Sequence, residues 1–123
     1  MKREIKFKAK SIYNGEWVYG DLVHQIDGTH IYMGKGGNGR TLCPRVAPST
    51  VCQFTGLKDC KGKEIWEGDI VERVIYDLFK GSTKVKAVIE YLDGAFVAIT
   101  DGIPYSLYFK YIKVIGNKFD KEK

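Results

Sequence analysis

The chain has 123 residues with 44% apolar and 13% aromatic side chains, which suits one domain or two small subdomains and excludes a disordered chain. No apolar run approaches the roughly 18 residues of a membrane span, and the N-terminal MKREIKFKAK lacks the apolar core of a secretory signal, so we expect a cytoplasmic protein. The net charge of +5 lies mainly in residues 1–50, which carry eight Lys or Arg against four Asp or Glu.

Residues 3–23 predict a β-hairpin. Apolar residues alternate with lysines along its first strand, and a period of two is typical of a strand with one buried face. Asn14-Gly15 is the favoured two-residue hairpin turn, because both of its positions need φ > 0. That turn would place Lys8 opposite Asp21. The lysines would share one face of the strand: Lys6, Lys8 and Lys10.

Residues 24–33 predict a second hairpin that turns at Asp27-Gly28. The run GKGGNGRT at 34–41 nearly spells a phosphate-binding loop, with Arg40 where the lysine of such a loop belongs. Such a loop needs a helix directly after it, and two prolines in the next eight residues argue against one. We interpret the run as a mobile loop, and a contact of this loop with an anion or a nucleic acid stays open.

Glycines and acids are concentrated in residues 51–71, VCQFTGLKDCKGKEIWEGDIV. This composition resembles that of a functional site. We interpret it as a strand over 51–55, a turn over 59–62, a returning strand over 63–66 and a bend over 67–69. The next strand is predicted over 70–76. In this interpretation each Gly and Asp of the segment lies at a turn, a bend or the end of a strand.

The acids of this segment do not have the pattern of a catalytic or metal site. They follow no calcium-loop spacing, and no His or Ser lies nearby to form a relay. We therefore predict a role in the architecture of the fold for all four: Asp59, Glu64, Glu67 and Asp69.

The C-terminal part predicts further short strands. After a loop over 77–84, residues 84–91 and 96–100 form a hairpin around Asp93-Gly94, with Tyr91 opposite Phe96. A second turn follows at Asp101-Gly102. Residues 106–111 fit either a helical turn or a strand, and residues 112–115 fit a last strand closed by Gly116-Asn117. Short strands with turns every eight to twelve residues predict a mainly β, antiparallel protein with little helix, a small barrel or sandwich.

Four segments of the chain resemble the YopX family. They are 4-EIKFKAKS, 17-WVYGDL, 55-TGLKDCKGKEIWEGDIV and 114-VIGN, and they occur in order along nearly the whole chain. The third and fourth segments are the specific ones. The family consists of small proteins encoded by phages and prophages, so the resemblance implies a bacterial host cell as the location.

The resemblance also implies a C-terminal part similar to an SH3-like barrel, and it implies no reaction. We expect an N-terminal β-hairpin region over residues 1–50 and a barrel region over 51–123, with one compact unit as the alternative. The odd number of cysteines and the missing secretory signal argue against disulfides. No metal spacing, nucleophile motif or cofactor motif is present, and we expect no enzyme, no cofactor and no metal.

Two binding functions remain. The first is a protein-interaction module for a phage or host protein, with aromatic surface from Trp17, Tyr19 and the cluster at 105–109; exposed strand edges would also allow self-association. The second is a nucleic-acid-binding module. Its surface would be a row of lysines with a stacking tyrosine and a loop arginine: Lys6, Lys8, Lys10, Tyr19 and Arg40.

Overall fold

Residues 4–79, 81–107 and 111–120 are described by the computed structural model. Within these ranges the chain forms antiparallel β-strands and one short 3-10 helix, Pro48–Thr50. The strands in chain order are β1 (Phe7–Lys10), β2 (Trp17–Gln25), β3 (Gly28–Tyr32), β4 (Gly34–Lys35), β5 (Thr41–Leu42), β6 (Cys52–Lys58), β7 (Glu64–Trp66), β8 (Asp69–Asp77), β9 (Gly81–Leu92), β10 (Ala95–Thr100), β11 (Ile103–Ser106) and β12 (Ile112–Asn117). The prediction of a mainly β, antiparallel fold with little helix is confirmed.

The chain divides into two compact units, Met1–Phe54 and Thr55–Lys123. The first unit contains the strand order β3-β2-β1-β6, and the strand β6 runs across the division between the units. One face of this sheet is apolar. Its core consists of Ala9, Ile31 and Val46, with Phe7, Val18, Leu22 and Val51 packed against it.

The first hairpin forms, but its predicted register is wrong by two residues. Lys8 pairs with Tyr19 instead of Asp21. The connection is longer than a two-residue turn, since the Ser11 N–H donates to the Glu16 carbonyl over 2.9 Å. Asn14 serves this longer loop through its side chain, which accepts the Glu16 N–H at 3.0 Å. A shift of two residues leaves every side chain on its predicted face.

The second hairpin also forms, and its turn lies one residue earlier than predicted, at residues 26–27, because Gln25 pairs with Gly28. The run 34–41 forms a short hairpin, in which β4 pairs with β5 and the Gly36 N–H donates to the Arg40 carbonyl over 2.7 Å. The predicted loop is therefore shorter than the run and covers residues 36–40, and its mobility stays a prediction. A strand follows Arg40 where a phosphate-binding loop would need a helix.

The second unit is built on the strand order β11-β10-β9-β8-β12. The predicted hairpin at Asp93-Gly94 is confirmed in its register, since Tyr91 pairs with Phe96. Both turn residues have positive φ, 49° at Asp93 and 86° at Gly94. The core of the unit is Ile65, Val71, Ala87, Ile89, Ala98, Leu107, Ile112 and Val114, with Phe96 packed against it. Its SH3-like character stays a prediction.

The predicted loop over 77–84 is wrong. The strands β8 and β9 pair down to Asp77 opposite Gly81, so residues 78–80 alone connect them. Polar residues suggested a loop here, but Ser82 and Thr83 pair with Tyr76 and Ile75, and backbone pairing overrides the composition. In the ambiguous segment 106–111, Ser106 ends β11 and residues 108–110 lie outside the described ranges.

Gly68 holds the bend between β7 and β8 in a conformation that other residues adopt only with strain. Its φ is +87°. Its N–H donates to the Ile89 carbonyl over 2.7 Å, and its carbonyl accepts the Lys118 N–H at 2.9 Å. Because both backbone groups are used, the bend cannot relax without loss of a hydrogen bond.

We expect Gly68→Val to lower the thermal unfolding midpoint by several degrees. A β-branched side chain at positive φ costs about 1–3 kcal/mol in the folded state. The matched control is Gly37→Val, since Gly37 is exposed and an added Cβ there meets no atom within 4 Å. Equal midpoints for the two variants, measured by thermal denaturation, would contradict this account of the bend.

Candidate functional site

The carboxylate of Asp59 is buried and holds three backbone donors. Its Oδ1 accepts the N–H groups of Lys61 at 2.8 Å and Lys63 at 2.9 Å, and its Oδ2 accepts the N–H of Val114 at 2.9 Å. Burial would raise the pKa of Asp59, but the hydrogen bonds from Val114, Lys63 and Lys61 outweigh it, and the pKa lies below its ordinary value of 3.8. The charged carboxylate of Asp59 therefore links the 59–63 turn to β12 through hydrogen bonds.

Asp69 makes a second link of the same kind. Its Oδ2 accepts the Trp66 N–H at 2.8 Å, and its Oδ1 accepts the side-chain amide of Asn117 at 2.9 Å. Asp69 and Asn117 are both buried. The segment 55–71 is thus attached to β12 at two points, and the oxygens of both carboxylates are occupied by structural donors.

The other two acids of the segment, Glu64 and Glu67, are half-buried. Among residues 4–79, 81–107 and 111–120, no group of three or more His, Cys, Asp or Glu side chains could hold a metal ion. The hydrogen bonds of Asp59 and Asp69 bear out their predicted architectural role. The three cysteines of the chain are free thiols, and Cys60 is the exposed one.

The lysine row on β1 shares its face with aromatic side chains. The ammonium groups of Lys8 and Lys10 lie 4.5 and 5.2 Å from the centroid of the Trp17 ring, and that of Lys6 lies 4.8 Å from the Phe54 centroid. Lys6 also forms an ion pair with Glu4 at 2.9 Å. These are cation–π distances, so the lysines already have local partners.

Burial separates Lys8 from its two neighbours on the row. Only 7% of Lys8 is exposed, whereas Lys6 and Lys10 are half-buried. A phosphate could reach Lys8 only if the structure around it opened. The sequence could show which face the lysines share but not this burial, which depends on residues distant along the chain.

The remaining residues of the predicted surface are dispersed. Tyr19 lies beside the lysine row, opposite Lys8, and is half-exposed. Arg40 is exposed on a different hairpin, in the turn between β4 and β5. In the predicted aromatic cluster, the Tyr105 ring lies 3.9 Å from the guanidinium of buried Arg73, and Leu107 is buried. Tyr108 and Phe109 fall outside the described residues.

An exposed apolar tip at the end of β8 and β9 was not predicted. Tyr76, Leu78 and Phe79 are 83%, 100% and 97% exposed. We call these three residues the apolar tip. The sequence contains a sign of this tip. Three large apolar residues fall within four positions where a predicted strand ends and a predicted loop begins, and loops are usually polar.

The apolar tip stands on a two-stranded ribbon, the paired ends of β8 and β9. Among the described residues, β12 pairs with β8 only as far as Arg73, and β10 pairs with β9 only as far as Val88. Beyond these points β8 and β9 pair with each other, from Val74 opposite Lys84 to Asp77 opposite Gly81. Lys84 and Lys86 are exposed on the ribbon, and Lys84 lies 3.7 Å from Glu72.

Comparison with known proteins agrees with this geometry. Residues 6–122 match the family model described as YopX protein. The chain belongs to the YopX family. The match confirms the resemblance seen in the four segments. In this YopX protein the two specific segments, 55–71 and 114–117, are the ones that Asp59 and Asp69 join.

A solved structure supports the fold of this YopX protein. The crystal structure of protein EF1440 from Enterococcus faecalis is 24% identical, covers 94% of each chain and superimposes with a TM-score of 0.56. At this identity the likeness concerns the fold alone. No curated protein matches the chain. Among the described residues, no helix has the length and hydropathy of a membrane span.

We expect Asp59→Asn to destabilise the YopX protein by about 1–3 kcal/mol, since an amide N–H₂ would face one of the three backbone donors. The lowered pKa means that the Asp59 carboxylate contributes stability above pH 3.8, and that this contribution is lost as the pH falls through the folded pKa. The difference in the free energy of unfolding between wild type and variant should therefore become smaller as the pH falls. Denaturant unfolding at several pH values measures this difference. A difference that stays constant down to pH 2 would contradict the role of Asp59 as a charged acceptor.

Proposed function

We propose that this YopX protein is a non-enzymatic protein-interaction module that binds its partner through the apolar tip of the β8–β9 ribbon. The observation that carries the proposal is the exposure of Tyr76, Leu78 and Phe79, at 83%, 100% and 97%. Clustered apolar side chains on a protein surface mark sites of association. Here Tyr76 lies on the paired backbone opposite Ser82, and Leu78 and Phe79 lie in the turn that closes the ribbon.

The apolar tip has the properties of an interface anchor. Burial of a large apolar side chain contributes about 1.5–3 kcal/mol, and aromatic residues dominate the binding energy of many interfaces. The hairpin under the tip is already formed, so binding orders little additional chain.

Charge around the tip defines the chemistry of the partner. Lys84 and Lys86 are exposed on β9 behind the tip, and Glu72, 3.7 Å from Lys84 and opposite Lys86, offsets part of their charge. Their side chains would lie at the rim of an interface, where opposite charge speeds association and selects the partner. The partner is therefore a protein with an apolar pocket and an acidic rim, from the phage or from its bacterial host.

Phage origin, a cytoplasmic location and the absence of enzymatic activity belong to the same proposal. The acids that a catalytic hypothesis would use, Asp59 and Asp69, are engaged by backbone and amide donors. The lowered pKa of Asp59 makes it a poor general base, and the oxygens of Asp69 are engaged by structural donors. This favours binding over catalysis as the task of the protein.

Nucleic-acid binding through Lys6, Lys8, Lys10, Tyr19 and Arg40 is the weaker alternative. The ammonium of Lys8 is buried against Trp17, and Arg40 lies on another hairpin. Half-exposed Tyr19 and the half-buried Lys10 are the members still able to meet a strand of nucleic acid.

The experiment for the proposed function is capture from lysate, followed by a binary binding assay with the identified partner. Phe79→Glu should weaken the binary complex at least about thirtyfold, the effect of losing a hot spot of 2 kcal/mol. The matched control is Ile26→Glu, because Ile26 is also fully exposed at a hairpin turn but in the first unit. Equal loss in both variants, or loss in neither, would contradict the assignment of the apolar tip.

The same capture tests the alternative, with and without nuclease. Binding by phosphate contacts should fall steeply with salt and should weaken in a Lys6→Gln, Lys10→Gln, Arg40→Gln variant. Lys8 is left unchanged in that variant because its burial would confuse lost binding with lost folding. Nucleic acid retained by wild type and released by this variant would replace the protein-interaction proposal.

A further inference from the structure

His30 lies on β3 with both ring nitrogens directed at hydrogen-bond acceptors. Its Nδ1 is 3.0 Å from the Cys43 carbonyl oxygen, and its Nε2 is 3.0 Å from Oδ1 of Asp27. Only 8% of His30 is exposed. A carbonyl oxygen and a carboxylate oxygen can accept but not donate, so each nitrogen must carry a proton to form its bond.

A neutral imidazole carries only one N–H. In either tautomer one nitrogen lone pair would then face an acceptor lone pair at 3.0 Å. The imidazolium form satisfies both contacts at once. The geometry therefore selects the charged form of His30 in the folded protein, although histidine is ordinarily about half neutral near pH 6.5.

The two acceptors belong to different parts of the first unit. Asp27 is in the turn between β2 and β3, whereas Cys43 begins a segment, 43–46, that lies along the free edge of β3. Backbone bonds join this segment to the strand: the Ile31 N–H donates to Pro44 over 3.1 Å, and the Val46 N–H donates to Thr29 over 2.9 Å. His30 adds a side-chain bond to the same segment.

We infer that His30 is a protonation-dependent latch, which in its charged form holds the segment 43–46 and the attached β4–β5 hairpin on the edge of β3. The bond from Nε2 to the Asp27 carboxylate is charge-assisted and keeps its proton, so loss of one proton removes the bond from Nδ1 to the Cys43 carbonyl. The segment 43–46 is then held by backbone bonds alone, those of Ile31 and Val46 and the Ile12 N–H donated to the Arg45 carbonyl over 3.1 Å. The β4–β5 hairpin keeps the Met33 N–H donated to the Leu42 carbonyl over 2.7 Å.

The charges around His30 act in opposite directions. Asp27 stabilises the imidazolium, whereas Arg45, paired with His30 across the bridge between the strand and the segment, opposes it. Asp21 is an acid on the same face of β2, two residues from Val23, which stands opposite His30. The hydrogen bonds to Cys43 and Asp27 raise the pKa of His30 above 6.5, and the bond to His30 lowers the pKa of Asp27 below 3.8.

The sign of the pH dependence follows from these directions. The stabilisation by His30 is complete below its unfolded pKa of 6.5 and is lost as the pH rises through the higher folded pKa. The contribution of Asp27 is present above 3.8 and is lost as the pH falls through its lowered folded pKa. The latch is therefore closed below pH 6.5 and opens as the pH rises through the higher folded pKa of His30.

Asp27→Asn is the decisive variant. An asparagine can donate through its amide, so the neutral tautomer with a proton on Nδ1 would satisfy both contacts. The titration midpoint of His30 should fall in this variant, and the latch should stay closed at higher pH. The side chain of Asp27 is 59% exposed, so the substitution leaves the core intact.

The test is an NMR titration of His30 in the whole protein, with amide hydrogen exchange measured across the same pH range. In wild type the midpoint of His30 should lie above 6.5, and each pH unit above 6.5 corresponds to a tenfold rise in the equilibrium constant for opening between the acidic and basic limits. Exchange protection of Ile31 and Val46, relative to Gly68 in the second unit, should fall through the His30 midpoint. His24→Gln should leave this profile unchanged, and Asp27→Asn should flatten it.

Three results would overturn the latch. His30 could titrate at or below 6.5 in wild type, the protection of Ile31 and Val46 relative to Gly68 could stay constant through the transition, or Asp27→Asn could keep the wild-type profile. The first two are measured on the unmodified protein, so they decide the matter even if a variant is unstable. None of them depends on the apolar tip or on its partner.

Discussion

Two buried carboxylates hold the second unit together. Asp59 accepts the Val114 N–H and Asp69 accepts the Asn117 amide, so the turn-rich segment 55–71 is tied to the strand β12 at its middle and at its C-terminal end. A buried carboxylate without donors would be costly, and here each carboxylate accepts hydrogen bonds at both of its oxygens. The dense signature of Gly and Asp that resembles an active site is explained by this arrangement.

Sequence reasoning worked where one local geometry was possible. At Asp93-Gly94 both residues need positive φ and have it, and the predicted register followed. At Asn14-Gly15 a similar dipeptide gave the wrong register. The side chain of Asn14 accepts a hydrogen bond, and the chain forms a four-residue connection instead of a two-residue turn. The turn residues marked where the chain reverses, but not which of two turn types it uses.

The candidate sites show a different limit. Alternation placed the lysines of β1 on one face, and the structure keeps them there, but the burial of Lys8 against Trp17 depends on pairing across strands. The sequence predicts a loop over 77–84. In the structure residues 81–84 pair with β8, and the apolar tip is exposed at the end of this ribbon. In both cases pairing between strands decided the environment of the side chain, and composition carries no information on it.

The two carboxylate ties also bear on the order in which the protein can fold during synthesis. Asp59 and Asp69 emerge from the ribosome some fifty residues before the donors that complete their shells, Val114 and Asn117. Until β12 has left the exit tunnel, segment 55–71 has its local bonds and its pairing with β9, but Oδ2 of Asp59 and Oδ1 of Asp69 lack their final donors. The second unit therefore closes late, in one step with its final strand, whereas the donors and acceptors of the first hairpins are available as soon as they emerge.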